Sequence, residues 1–207
     1  MTLLDSRLPD LDVSRETLDR LTHLSALLEK WSSKINLVSR ATLEDLWTRH
    51  IVDSAQIFQS PRHHTGLWAD LGSGGGFPGL VIAILAEELA PELDVTLVES
   101  DQRKAVFLRT ALRETGVSGR VLVGRIEEIP PLKANILSAR ALADLPTLLS
   151  FTDRHLSPSG QALFLKGANW KKEVAAAGES WKFSCERRTS ITDPNAVVLT
   201  IGALTHV

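Results

Sequence analysis

The feature that most constrains this chain is a glycine-rich segment between an apolar run and a helical pattern. Residues 70–79 read Asp-Leu-Gly-Ser-Gly-Gly-Gly-Phe-Pro-Gly. The run 67–71 predicts a buried strand, and the pattern over 79–90 predicts a helix. Glycines permit positive φ and a close approach of the backbone to a ligand, and Pro78 suits the start of a helix. A strand, a glycine loop and a helix in this order predict a ligand site at the carboxyl end of an open α/β sheet.

After residue 66, short apolar runs alternate with helical patterns, which is typical of a parallel sheet covered on both faces. Strands are predicted over residues 67–71, 95–98, 121–123, 136–138 and 162–165, and helices over 79–90 and 102–115. The segments 181–185 and 197–201 are candidates for further strands. The predicted fold class is therefore α/β, with a Rossmann-like, doubly wound and mostly parallel sheet.

Before residue 66 the apolar residues follow a helical period instead. They lie on one helix face after the N-cap candidate Ser14, at Leu18, Leu21, Leu24, Leu28, Trp31 and Ile35. A second helix is predicted to begin at Thr42, where Thr42-Leu43-Glu44-Asp45 resembles a capping box, and to end before Pro61. We expect a helical N-terminal cap (1–65) and an α/β domain (66–207) that form one compact unit.

Composition narrows the class of protein further. Cys185 is the only cysteine among 207 residues, so neither an intrachain disulfide nor a thiolate metal cluster can form. The longest apolar stretch, 80–85, is too short to span a bilayer. The first residues lack the basic-then-apolar pattern of a signal peptide. These features predict a cytoplasmic protein that uses neither a metal nor a membrane.

The charge balance argues against a protein that coats nucleic acid through bulk charge. The chain has 23 Lys and Arg against 25 Asp and Glu, a net charge of −2, whereas such proteins are strongly basic. A local basic face is still compatible with this balance. The candidates are Lys34, Arg40, Arg49, Arg140 and Lys166, extended by Lys171-Lys172 and Arg187-Arg188.

The identity of the ligand is the next question. Residues 74–79 formally match the dinucleotide glycine pattern, which alone is a weak signal. Asp70, two residues before Gly72, favours S-adenosylmethionine, because a carboxylate there can organise the loop or meet the ammonium of a methionine moiety, directly or through water. S-adenosylmethionine also carries no phosphate, so the loop need only pass close to it. Glu99 ends the second predicted strand, where an acidic residue receives ribose hydroxyls of either ligand.

Several motifs around the glycine loop resemble the RsmG (GidB) family of class I methyltransferases. They are Trp-Ser-Ser-Lys-Ile-Asn-Leu at 31–37, Arg-His-Ile-Val-Asp-Ser at 49–54, the loop at 70–79, Arg-Ile-Glu-Glu at 125–128, Ser-Ala-Arg-Ala at 138–141 and Leu-Lys-Gly at 165–167. The combination is specific, although the loop alone is common to many methyltransferases. The resemblance implies methyl transfer from S-adenosyl-L-methionine to N7 of a guanine in 16S ribosomal RNA. The implied partner is that RNA or the small ribosomal subunit, and nothing in the sequence demands a dimer.

The expected cofactor-binding residues lie in the loop and at the strand ends. From the loop we expect Asp70, Ser73, Gly74 and Gly76, and from the second strand end Glu99 and Ser100. The resemblance further implies that Gly72 and Phe77 line the site, that the backbone at Ile126 and Glu127 flanks the adenine, and that Arg140 lies on the cofactor side. A structural ion pair of Arg140 with Asp70 or Glu99 is the alternative.

The residues also limit the reaction. A pyrimidine-carbon methyltransferase needs a cysteine nucleophile, and Cys185 lacks the usual Pro-Cys context. A ring nitrogen such as guanine N7 has a free lone pair, so alignment and not a general base is required. Arg140 and Lys166 are expected to meet RNA phosphates, and Asp53 is a candidate carboxylate beside the cationic product. The other classes considered are a nicotinamide-dependent oxidoreductase and a non-catalytic RNA-binding module.

Overall fold

One seven-stranded sheet organises the chain in a computed structural model, which describes residues 8–39, 44–61 and 63–207. The strand order is β3-β2-β1-β4-β5-β7-β6. The first five strands run parallel and β7 runs antiparallel to both of its neighbours. The strands are β1 (Gly66–Leu71), β2 (Leu93–Glu99), β3 (Arg120–Val123), β4 (Ala134–Arg140), β5 (Leu156–Lys166), β6 (Trp181–Thr189) and β7 (Val197–His206).

Helices connect these strands and precede the sheet. They are α1 (Arg15–Ser32), α2 (a π-helical turn Trp47–Val52 followed by Asp53–Ala55), α3 (Gly79–Leu89), α4 (Gln102–Thr115), α5 (Leu145–His155) and α6 (Trp170–Ala177). The predicted strands and the helices α1, α3 and α4 are confirmed. The predicted start of the second helix, at Thr42, lies outside the described residues.

Two helices, α5 and α6, had no prediction. The helix α5 nevertheless has a readable start signal, since Asp144 accepts a hydrogen bond from the Thr147 amide and a proline follows within the first two helical positions. The helix α6 has no side-chain cap, and only Ala177 of its residues is fully buried. Its short and weakly patterned sequence explains why periodicity did not identify it.

The sheet is covered on both faces, as a doubly wound sheet requires. Alternate residues of β1 enter different hydrophobic clusters, with Trp68 on one face and Ala69 on the other. The helices α1 to α4 contribute to the first cluster, and α5 and α6 pack on the second. None of the helices in the described ranges is long and apolar enough to cross a membrane.

The N-terminal helix shares the core of the sheet domain. Leu21, Leu24 and Leu28 are completely buried in the same cluster as Trp68. Ser14 caps α1, as predicted, by accepting a hydrogen bond from the Thr17 amide at 3.2 Å. Because α1 completes this core, we propose that the segments 1–65 and 66–207 unfold as one unit.

Leu24→Ala is expected to lower the free energy of unfolding by about 2–5 kcal/mol, because it removes buried methyl groups and leaves a cavity. Urea unfolding followed by circular dichroism and by tryptophan fluorescence measures this. The control is Val106→Ala on α4, whose side chain is exposed and which should change stability by only about 0.5 kcal/mol. Two separate transitions in the wild-type protein would contradict the single unit.

Candidate active site

A large cavity opens at the carboxyl ends of β1, β2, β4 and β5. Its volume is about 1040 Å³, which is ample for a nucleoside cofactor together with part of a second substrate. Eleven residues expected from the sequence line it: Asp53, Gly72, Ser73, Gly74, Phe77, Glu99, Ser100, Ile126, Glu127, Arg140 and Lys166. Asp70 and Gly76 were also expected to bind the cofactor, but neither belongs to the lining.

The glycine loop needs its glycines for two different reasons. Gly76 has φ +90°, and a Cβ at this position would collide with the Leu80 side chain, so the residue allows the loop to pack onto α3. Gly74 has φ +54°, and a Cβ there would have only the Gly72 carbonyl oxygen within 4 Å. The space beside Gly74 is therefore open, and a side chain there would occupy it.

Asp70 holds the glycine loop in place through hydrogen bonds to its buried carboxylate. Its side chain is fully buried, and its two carboxylate oxygens accept hydrogen bonds from the Ser138 hydroxyl at 2.7 Å and the Gly79 amide at 3.2 Å. Ser138 in turn accepts a hydrogen bond from the Trp68 indole at 2.9 Å. This carboxylate joins β1, β4 and the start of α3, which is the loop-organising role expected for it. An interaction with the ammonium of a cofactor stays a prediction.

The environment of Asp70 also changes its acidity. Burial raises its pKa to about 6, although hydrogen bonds from Ser138, Ser73 and Gly79 act in the opposite direction. Desolvation penalises the charged form more than these donors stabilise it.

Glu99, at the end of β2, holds the glycine loop in place by accepting hydrogen bonds from backbone amides. One of its oxygens accepts a hydrogen bond from the Gly74 amide and the other from the Asp101 amide, both at 2.8 Å. The residue is buried and lines the cavity. Each carboxylate oxygen has a second acceptor site, so binding of ribose hydroxyls stays a prediction alongside the observed structural role.

Arg140 lines the cavity at the carboxyl end of β4. Its guanidinium donates hydrogen bonds to the Asp53 carboxylate at 3.2 Å, the Arg49 carbonyl at 2.9 Å and His50 Nδ1 at 2.7 Å. Its side chain is only 17% exposed. An ion pair with Asp70 or Glu99 was the alternative expected for Arg140, whereas its salt-bridge partner is Asp53 on α2.

His50 is a neutral imidazole in this arrangement. Burial, followed by the nearby Arg140 and Arg49 charges, lowers the pKa of His50 to about 4. Because a guanidinium only donates, Nδ1 must accept and the ring proton is assigned to Nε2. The ring stacks on Phe77 with centroids 4.9 Å apart, and the Arg140 guanidinium carbon lies 5.1 Å from the same Phe77 ring.

Asp53 also links α2 to the segment between β6 and β7 by hydrogen bonds. Its second oxygen accepts hydrogen bonds from the Thr192 hydroxyl at 2.8 Å and the Gln56 amide at 2.9 Å. Gln56 further donates to the Ser190 hydroxyl at 3.0 Å. Gln56, Ser190 and Thr192 were not predicted, because no local pattern links Asp53 and Gln56 to Ser190 and Thr192, which lie more than 130 positions further along the chain.

Lys166 forms an ion pair with Glu173 within the cavity wall. Its ammonium donates to the Ala143 carbonyl at 2.8 Å and lies 2.5 Å from the Glu173 carboxylate, and its side chain is 10% exposed. Lys166 and Arg140, which were expected to meet RNA phosphates first, thus both have carboxylate partners in the protein. Arg49 is more open, with 48% exposure and Asp193 at 3.9 Å, and Arg40 lies outside the described residues.

The turn after β3 also lines the cavity, through residues 124–127. Ile126 is buried and its carbonyl accepts a hydrogen bond from His155 Nε2 at 2.8 Å, which anchors this turn to the end of α5. Glu127 is exposed beside it. Across residues 8–39, 44–61 and 63–207, no three His, Cys, Asp or Glu side chains are grouped as metal ligands.

The sheet order, the glycine loop and the cavity define a Rossmann-like methyltransferase, and solved structures share this fold. A methyltransferase from Geobacter sulfurreducens has a TM-score of 0.60 at 15% identity and covers 96% of this chain and 92% of its own. A mutant of MtNAS in complex with S-adenosylmethionine has a TM-score of 0.58 at 14% identity, over 90% of this chain and 77% of its own. At these identities the likeness shows the fold alone.

Sequence comparison shows the family. The GidB model, described as rRNA small subunit methyltransferase G, matches residues 17–197. Proteins named Ribosomal RNA small subunit methyltransferase G are 55% identical in Ruegeria sp. (strain TM1040), over 96% of both chains, and 47% identical in Paracoccus denitrificans, over 95% of this chain and 100% of the relative. The chain belongs to the GidB family, so the resemblance found in its motifs is confirmed and a methyltransferase is favoured over an oxidoreductase.

Gly74→Val is expected to lower the affinity for S-adenosylhomocysteine by roughly tenfold or more in a folded protein. The left-handed backbone costs a β-branched residue about 1–2 kcal/mol, and the new side chain occupies the open space beside the loop. Isothermal titration measures the affinity. Gly116→Val is the matched control, because Gly116 has φ +64° at the end of α4 with no atom near its Cβ position. Equal affinities in the two variants would remove the loop from the cofactor site.

Asp70→Asn is expected to change how stability depends on pH. Since the folded-state pKa of about 6 exceeds the unfolded value near 4, wild-type stability from this group is greatest below about pH 4 and falls as pH rises to 6. The free energy of unfolding of wild type relative to the variant should therefore decrease by about 2–3 kcal/mol between pH 4 and pH 7. Urea titrations of both proteins across this range measure the difference, and a constant difference would contradict the raised pKa.

Proposed function

We propose that this protein transfers the methyl group of S-adenosyl-L-methionine to N7 of a guanine in 16S ribosomal RNA of the small ribosomal subunit. The observation that carries the proposal is the family match over residues 17–197 combined with a two-sided cavity at the carboxyl end of the sheet. One half of the cavity is formed by the glycine loop and β2. The other half lies beyond β4 and β5.

The residues of the first half fit the cofactor. The open space beside Gly74 admits the cofactor close to the backbone, and the carboxylate of Glu99 lies at the strand end where ribose hydroxyls bind in α/β folds. Gly72, Ser73, Phe77 and Ser100 complete this wall, and the turn at Ile126 and Glu127 is assigned to the adenine. When bound, the cofactor supplies an electrophilic sulfonium methyl.

The acceptor half fits a base that needs no deprotonation. The in-plane lone pair of guanine N7 forms the new N–CH₃ bond while the S–CH₃ bond breaks and its electron pair remains on sulfur. Guanine N7 carries no proton to remove, and His50 is a weak base, because its pKa is lowered to about 4 and its Nδ1 already accepts a hydrogen bond from Arg140. The work of the protein is alignment of nitrogen, methyl and sulfur.

The charges around the acceptor suit the product, which is a cationic N7-methylguanine. Arg140 is paired with Asp53, so the guanidinium does not confront the developing positive charge as an unpaired cation. We assign to Asp53 the electrostatic stabilisation of the base, to Arg140 the positioning of Asp53 and His50, and to Lys166 the support of the acceptor wall through Glu173. We propose that the enzyme acts in the cytoplasm, where a substrate of this kind is found, and that it acts as a monomer.

The test is methyl transfer from radiolabelled S-adenosylmethionine to 16S RNA in small subunits from cells that lack the gene. The modified nucleotide is identified by nuclease digestion and mass spectrometry. One N7-methylguanine is expected. Label on a different base or on a ribosomal protein would overturn the proposed acceptor, whereas a protein that binds S-adenosylhomocysteine but methylates no substrate would be the non-catalytic module.

Asp53→Asn is expected to lower kcat about 10- to 100-fold while changing the affinity for S-adenosylhomocysteine little. The amide retains the shape but leaves the Arg140 charge unpaired beside the base, and one charge at about 6 Å costs about 3 kcal/mol at an effective dielectric constant of about 20. Single-turnover methyl transfer measures the rate. Asp193→Asn removes the same charge at the cavity mouth and serves as the control. Equal rates in the two variants would remove Asp53 from the reaction.

A further inference from the structure

A cluster of exposed cations lies next to the acceptor half of the cavity. The lining segment 166–169 leads directly into α6, whose first residue is Trp170. Lys171 Nζ lies 5.6 Å from the Trp170 ring centroid, and the Arg187 guanidinium carbon lies 5.2 Å from it. Together with Lys172, these three residues form what we call the α6–β6 basic cluster.

Strand register places this cluster at the edge where the cavity opens. Lys166 of β5 and Thr189 of β6 are both paired with Val197 of β7, so the two residues lie in one row across the sheet, about 10 Å apart at ordinary strand spacing. Arg187 precedes that row by two residues. A strand of RNA that leaves the acceptor half beside β5 therefore meets β6 and α6 next.

The cations of this cluster differ from Arg140 and Lys166 in that they have no carboxylate partner. Arg140 and Lys166 lie within 4 Å of Asp53 and Glu173, respectively. Among the described residues, no carboxylate lies within 4 Å of Lys171, Lys172 or Arg187, and all three are exposed. Glu186 neighbours Arg187, but consecutive strand residues point to opposite faces.

The Trp170 ring attracts both Lys171 and Arg187, whose charged groups lie 5.6 and 5.2 Å from its centroid. A cation above an aromatic face is attracted by the ring quadrupole, which offsets part of the repulsion between neighbouring cations. A chain of phosphates would remove the remaining repulsion, because each contact neutralises a charge and releases counterions. The position, the unpaired charge and the ring all match a polyanion and not an apolar partner.

We propose that the α6–β6 basic cluster binds the phosphate backbone of the RNA that flanks the target guanine. This inference rests on the proposed function, since it concerns the substrate of that reaction. It assigns positioning of the RNA to Lys171, Lys172 and Arg187, in place of Arg140 and Lys166. Phosphate contacts of this kind fix the register of a nucleic acid without reading its sequence.

The experiment measures the affinity of a 16S RNA transcript at several salt concentrations by filter binding. The double variant Lys171→Ala/Arg187→Ala is compared with wild type. The slope of log affinity against log salt should fall by about 0.7 for each lost single-strand contact, and S-adenosylhomocysteine affinity should be unchanged. Arg187→Lys, which keeps the charge, should retain most of the slope.

The matched control is Arg109→Ala/Arg113→Ala, which removes two exposed charges from α4, away from the cavity lining. It should leave the slope unchanged. A double variant with the wild-type slope, or a control variant with the same loss, would overturn the assignment of the cluster even if wild type methylates RNA. Absence of RNA binding and methylation by wild type would overturn the proposed function and the cluster with it.

Discussion

The buried guanidinium of Arg140 is the group on which the geometry of the acceptor half depends. A charge held away from water costs several kcal/mol unless it is paired and hydrogen-bonded. Asp53, His50 and the Arg49 carbonyl meet that requirement, and all three belong to one short segment, 49–53. The end of β4 therefore determines where this N-terminal segment lies, and with it the part of the cavity wall formed by Arg49, His50 and Asp53.

Two aspartates serve the two halves of the cavity in different ways. Asp70 is sealed beneath the glycine loop, and its oxygens hold β4 and α3 in place. Asp53 lines the cavity and joins α2 to the β6–β7 connection through Thr192 and Gln56. One carboxylate keeps the cofactor loop in its shape, and the other brings charge to the acceptor side while fastening residues that lie far apart in the chain.

The distribution of positive charge reconciles a net charge of −2 with a polyanionic substrate. Arg140 and Lys166 in the cavity wall have carboxylate partners, which suits a reaction whose product is cationic. Lys171, Lys172 and Arg187 have no carboxylate within 4 Å among the described residues and lie on the surface, where phosphates would pass and where water and salt keep the cost of free charge low. The net charge counts both kinds of cation together and therefore does not show where each kind lies.

Local patterns in the sequence determined the elements that carry the cofactor half. The apolar run of β1, the glycines with positive φ and the helix α3 are adjacent in the chain, so short-range sterics and periodicity predict them together. The charge pairs were decided only by tertiary structure. Arg140 and Asp53 are 87 residues apart, and Thr192 and Asp53 are 139 apart. The sequence offers several carboxylates to each cation, and only the sheet order and the packing of α2 against it select one, because an ion pair depends on distance in space and not on separation along the chain.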